Sequence, residues 1–72
     1  MSRLVKRSFS LAGHRTSVAL EPEFWSALSR IAVVRGQTLS ALVAATDAGR
    51  QDGRPLASAL RVMALQELPR DI

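Results

Sequence analysis

One short segment limits what this chain can become. In Arg15-Thr16-Ser17-Val18-Ala19-Leu20, Arg15, Ser17 and Ala19 alternate with Thr16, Val18 and Leu20. That is the period-two pattern of a strand with one face toward a core. Everything after it reads as helix, and one strand ahead of helices cannot satisfy its own backbone N–H and C=O groups. The simplest cover is the same strand from a second copy, paired antiparallel about a two-fold axis. A second source lies within the chain. Ser8-Phe9-Ser10-Leu11 also alternates, and Gly13 permits the positive φ of a hairpin around Ala12-Gly13. Alternatively, Gly13 marks where a flexible arm becomes ordered. The intermolecular ribbon is the preferred expectation, because a lone hairpin keeps a free edge and is barely stable by itself.

Three helices are expected after the strand. Pro22 suits a first helical turn, Glu21 and Glu23 suit its positive end, and Phe24, Trp25, Leu28, Ile31 and Ala32 form an apolar face. Arg35-Gly36 is a C-terminal stop. Thr38, with Ser40 as the alternative, caps a second helix carrying Leu39, Leu42, Val43 and Thr46 and ending near Asp47-Ala48-Gly49. After a polar loop from Gly49 to Pro55, a third helix runs to about Leu68, where Pro69 closes it. Its apolar residues Leu56, Leu60, Val62, Met63, Leu65 and Leu68 cover more than one stripe, which suggests burial on two sides. The expected organisation is a basic arm or extra strand over 1–13, a core over 14–48, and a loop with the third helix over 49–72. No internal repeat or low-complexity tract interrupts it.

Size makes a partner attractive. A chain of 72 residues buries only about 60% of its unfolded surface, and small folds recover stability from disulfides, metals or oligomerisation. Cysteine is absent and His14 is the only histidine, so neither a disulfide nor a metal is expected. A homodimer is. Its core is expected to hold Thr16, Val18, Leu20, Trp25, Leu28, Ile31, Leu39, Leu42 and Val43. No apolar run approaches the roughly 18 residues of a membrane span, and Met1 to Arg7 lacks the apolar core of a signal peptide. A cytoplasmic protein of prokaryotic type, without membrane or cofactor, is expected.

Charge points to a partner of opposite sign. Residues 1–36 hold six cations against two carboxylates, whereas residues 37–72 hold four of each, so the whole excess of four lies in the first half. Nucleic acid is the commonest reason for a basic half, with acidic proteins and membrane surfaces behind it. No G-x-S-x-G context, glycine-rich phosphate loop or paired carboxylates accompany the serines, so an enzyme is not expected.

The stretch Arg15-Thr16-Ser17-Val18-Ala19-Leu20-Glu21-Pro22-Glu23-Phe24-Trp25, followed by Arg35-Gly36-Gln37-Thr38-Leu39-Ser40-Ala41-Leu42-Val43, resembles the ribbon-helix-helix family of bacterial and phage DNA-binding proteins. It looks closest to a small single-domain branch with a Gly-His-Arg-Thr-Ser-Val stretch, here Gly13 to Val18. The resemblance covers residues 14–48. It implies a mainly α fold, a ribbon-helix-helix with an intermolecular antiparallel β-ribbon in a two-fold dimer, plus an added C-terminal helix. It also implies that the ribbon enters the major groove of double-stranded DNA, with Arg15, Ser17 and Ala19 facing bases. Arg15 can bond guanine bidentately, Ser17 donates or accepts with little selectivity, and Ala19 offers only contact with a thymine methyl. The start of the second helix, Thr38, Leu39 and Ser40, would grip a phosphate. Arg3, Lys6 and Arg7 would add phosphate or minor-groove contacts from the arm.

A sequence-specific transcriptional repressor or autoregulator follows, a homodimer that can assemble further on DNA. Two other readings stand beside it: an antitoxin with a toxin partner, and a dimeric protein-interaction module that keeps the fold without binding DNA. A geometric objection separates them. The major groove is about 12 Å wide, whereas four strands from two hairpins span about 14 Å between outer strands. If residues 6–11 form a second strand, flat insertion becomes difficult.

Overall fold

In the computed structural model, which describes residues 3–67, the chain turns back on itself at Ala12-Gly13. Ala12 lies at φ 50° and Gly13 at φ 83°. Two successive positive φ values in a two-residue loop make a type I′ turn, whose twist matches that of the strands it joins. The strands are β1 (Val5–Leu11) and β2 (His14–Leu20), antiparallel, with Val5 opposite Leu20 and Leu11 opposite His14. Of the two expectations for the first residues, the extra strand holds over Val5–Leu11. With two seven-residue strands and three helices the domain is mixed α/β rather than mainly α.

The first helix, α1 (Pro22–Val34), starts at Pro22, where the missing N–H leaves no bond unmade. It ends in a Schellman arrangement: Gly36, at φ 66°, donates to the Val33 carbonyl at 3.0 Å and Gln37 donates to that of Ala32 at 2.8 Å. The second helix, α2 (Leu39–Ala48), is capped by Thr38, whose Oγ1 accepts from the Ala41 amide at 3.0 Å. The third, α3 (Leu56–Glu67), follows Pro55, whose carbonyl accepts from Ala59. The expected close at Leu68-Pro69 falls outside the described residues.

All five elements feed one core. Phe9 and Leu11 from β1, Val18 and Leu20 from β2, and Trp25, Leu28, Ile31 and Ala32 from α1 are buried. Leu42 and Val43 from α2 and Leu56, Leu60 and Ala64 from α3 complete it. Fully burying a leucine is worth about 1.5–3 kcal/mol, and Leu20, Leu28, Leu42 and Leu60 are all fully buried. Most of the residues expected at a dimer core are therefore covered within one chain; only Thr16 and Leu39 of that set remain half-buried. The reason is that β1 and α3 supply the cover assigned to a partner. Trp25 illustrates it: its ring lies 5.8 Å from that of Phe9, and its Nε1 donates to the Val5 carbonyl at 2.8 Å. On α3, Leu56, Leu60 and Ala64 face inward, whereas Leu65 stays 71% exposed.

Ion pairs tie the helices at their ends. Arg61 of α3 holds Glu21, just before α1, at 2.9 Å, and Arg35 just after α1 pairs with Glu67. Arg50 joins Asp47 at 3.0 Å and donates to the Arg54 carbonyl, which ties the end of α2 to the loop before α3.

Candidate nucleic-acid interface

Register decides which side chains share a face, because directly opposed residues of an antiparallel pair point the same way. Val5–Leu20, Arg7–Val18, Phe9–Thr16 and Leu11–His14 form the helix-facing side, and it contains every buried residue of the sheet. Lys6–Ala19, Ser8–Ser17 and Ser10–Arg15 form the other side. There Lys6, Ser8, Ser10, Arg15 and Ser17 are all exposed, and Ala19 is half-buried. The Ser8 and Ser17 hydroxyls meet at 3.2 Å in the middle. No carboxylate occurs between residues 3 and 20, so nothing on the sheet itself offsets Lys6 and Arg15. The result is a flat surface of hydroxyls with a cation toward each end.

The backbone is also arranged for use. In a two-residue hairpin the pair next to the turn exchanges both hydrogen bonds, and such pairs alternate along the strands. The N–H and C=O groups of Arg15, Ser17 and Ala19 therefore point away from β1, along the free edge of β2. No turn, loop or side-chain hydrogen bond among the described residues uses these groups.

The expected site residues separate into groups. Arg15, Ser17 and Ala19 lie together on the outward face, joined by Lys6. Arg7 does not join them. It belongs to the helix-facing side, with its guanidinium 5.2 Å from the centre of the Trp25 ring. Lys6 and Arg7 are thus strand residues on opposite faces rather than members of an arm, because one step along a strand reverses the side chain. Arg3 is exposed just ahead of β1. Thr38, Leu39 and Ser40 lie at the start of α2. There the Thr38 oxygen is occupied as a cap, while the Leu39 and Ser40 amides fall in the first turn, which offers no intrahelical acceptor. Ser8 and Ser10 were absent from the expected site. Their signal was the alternation of Lys6, Ser8 and Ser10 against Phe9 and Leu11, which places them beside Ala19, Ser17 and Arg15 once the turn is closed.

Among the described residues no group of His, Asp and Glu could hold a metal, and no helix is long and apolar enough to cross a membrane. Compared with known protein families, the chain matches a family model described as a ribbon-helix-helix domain over residues 4–68. That span takes in both strands and all three helices, and so extends beyond residues 14–48 on either side. No curated protein matches the chain, and no solved structure does.

Proposed function

Because the chain belongs to the ribbon-helix-helix family, we propose that it is a homodimeric, sequence-specific DNA-binding regulator, a repressor or autoregulator of transcription. Two β2 strands pair along their free edges about a two-fold axis and form the ribbon that enters the major groove. Arg15 reads guanine, Ser17 contacts either partner of a base pair, and Ala19 meets a thymine methyl. The Leu39 and Ser40 amides at the start of α2, with Thr38, hold a phosphate.

The observation that carries this reading is the uncovered face of the hairpin, basic and hydroxyl-rich, with five exposed side chains that take no part in the core. An interaction module that had lost DNA binding would be expected to cover or neutralise that face. Neither β1 nor α3 does so: β1 lies beside β2, and α3 packs its buried residues into the core. That packing also gives α3 no need of a toxin on which to fold.

The test is selection of DNA from a random pool by the full chain at low salt, followed by fluorescence anisotropy on the selected site. Arg15→Ala is expected to cost about 1–3 kcal/mol of discrimination and to relax the preference at one position. Binding no stronger than that of a charge-matched control protein, with no enriched sequence, would overturn the proposal.

A further inference from the structure

The outer strand β1 borders a cleft of about 410 Å³ between its helix-facing side and α1. Val5 and Arg7 of β1 and Trp25, Ser26, Ser29 and Arg30 of α1 line it. No β2 residue and no carboxylate does. Ser26, Ser29 and Arg30 recur at helical spacing, so they present one face of α1 to the strand.

What distinguishes this cleft is that its cations are unspent. Arg35, Arg50 and Arg61 are each tied to a carboxylate. A second cleft, of about 430 Å³ between the end of α2 and α3, is lined by Arg35, Arg50 and Arg54, and the first two are neutralised in that way. Among the described residues, neither Arg7 nor Arg30 has a carboxylate partner. Arg7 is instead held against the Trp25 ring, an arrangement that fixes a guanidinium without consuming its charge. One cation held on a ring, a second free one and two hydroxyls lining the same cleft suit a row of phosphates.

We infer that β1 and this cleft clamp the DNA backbone on either side of the ribbon, with Arg7 and Arg30 contacting phosphates. The inference rests on the dimeric DNA-binding reading above and removes its geometric difficulty. In a four-stranded sheet the outer strands lie about 14 Å apart, slightly more than the width of the major groove, about 12 Å. The two β2 strands then lie over the bases, and each β1 runs along a phosphate row. Lys6 on its outward face lies there, and Arg7 and Arg30 reach the same row around the edge of β1, from the cleft on its helix-facing side. The extra strand thus becomes part of the grip rather than an obstacle to it.

Salt dependence of binding separates this from the base-reading role. Each phosphate neutralised contributes about 0.9 to the slope of log K against log salt. In anisotropy titrations of the full chain on its selected site, Arg30→Gln is expected to reduce that slope by about 1.8 for a dimer. At about 0.1 M salt, affinity should fall roughly five- to tenfold for each phosphate lost, equally on selected and unrelated sequences. Arg54→Gln, which removes a cation unpaired among the described residues from the second cleft, serves as the charge control and should change the slope far less. Arg7→Gln should behave as Arg30→Gln does. Because it also releases the Trp25 ring, its thermal melt is recorded first, and Arg30→Gln alone decides if it unfolds. If the wild type binds with sequence preference and Arg30→Gln matches Arg54→Gln, the clamp is wrong and the ribbon reading stands. If the wild type does not bind DNA, both fall.

Discussion

Two adjacent substitutions at the hairpin turn should shift stability in opposite directions. Gly13 sits at φ 83°, and a Cβ built there meets nothing within 4 Å. Gly13→Ala therefore introduces no clash, and only the backbone conformation resists it. Holding an L-residue in the left-handed region costs about 1–2 kcal/mol, and the smaller freedom of the unfolded chain returns about 0.4–1 kcal/mol. The net loss is about 1 kcal/mol. Ala12, at φ 50°, already bears that strain. Asparagine tolerates this region and favours the first position of a type I′ turn, so Ala12→Asn should gain about 0.5–1 kcal/mol. An unfolding entropy of about 2.1 cal/mol/K per residue, over 72 residues, makes 1 kcal/mol worth about 6–7 °C in Tm. Circular dichroism melts at several protein concentrations should show Gly13→Ala melting about 6 °C lower and Ala12→Asn about 3–6 °C higher. If both variants melt with the wild type, Ala12-Gly13 does not close a hairpin, β1 is not fixed beside β2, and the phosphate clamp loses its strand.

Three further outcomes test other joints. Thr38→Ala removes the hydroxyl that caps Ala41 and should cost about 1 kcal/mol of stability by chemical denaturation, with DNA affinity reduced equally on all sequences. Trp25→Phe puts a smaller ring at a buried position and loses the 2.8 Å bond to the Val5 carbonyl. It should cost at least about 1 kcal/mol, the bond alone being worth about that much and the void adding to it, and speed hydrogen exchange at the start of β1 more than within α2. The Glu21 carboxyl is held below its ordinary range by a hydrogen bond with its own backbone and then by the Arg61 guanidinium. A carboxyl lowered in the folded state adds stability above its unfolded pKa and loses it as pH falls through the folded one. Wild type should therefore lose more stability than Glu21→Gln on going from about pH 6 to about pH 2.

How much of this was legible beforehand differs between levels. The helices could be read because their ends carry chemistry of their own: Pro22, the Arg35-Gly36 stop and the Thr38 cap all act where the sequence suggested. The inward face of β2 could be read for the same local reason. What local pattern did not decide was the identity of the strand beside β2. Residues 8–11 alternate clearly, yet Ala12 is a poor first residue for a type I′ turn, so the hairpin signal was half-written. Once β1 folds back, Phe9 covers Trp25, and the core expected between two chains closes within one. The outward site followed the same division. Arg15, Ser17 and Ala19 were visible from alternation alone, whereas Ser8 and Ser10 needed the register, and the separation of Lys6 from Arg7 needed the strand itself. Arg30 gave no signal in the sequence, since only the fold brings it to the same cleft as Arg7.

The strict division of the hairpin into two faces has a consequence for how such a protein changes over time. Lys6, Ser8, Ser10, Arg15 and Ser17 are exposed and contribute nothing to the core. Substitution there should alter stability by little, about 0.5 kcal/mol or less at a surface position. A library randomised at those five codons should therefore keep its fold while its preferred target drifts. On the outward face, then, side chains can be rewritten while the alternate residues that build the core are left intact.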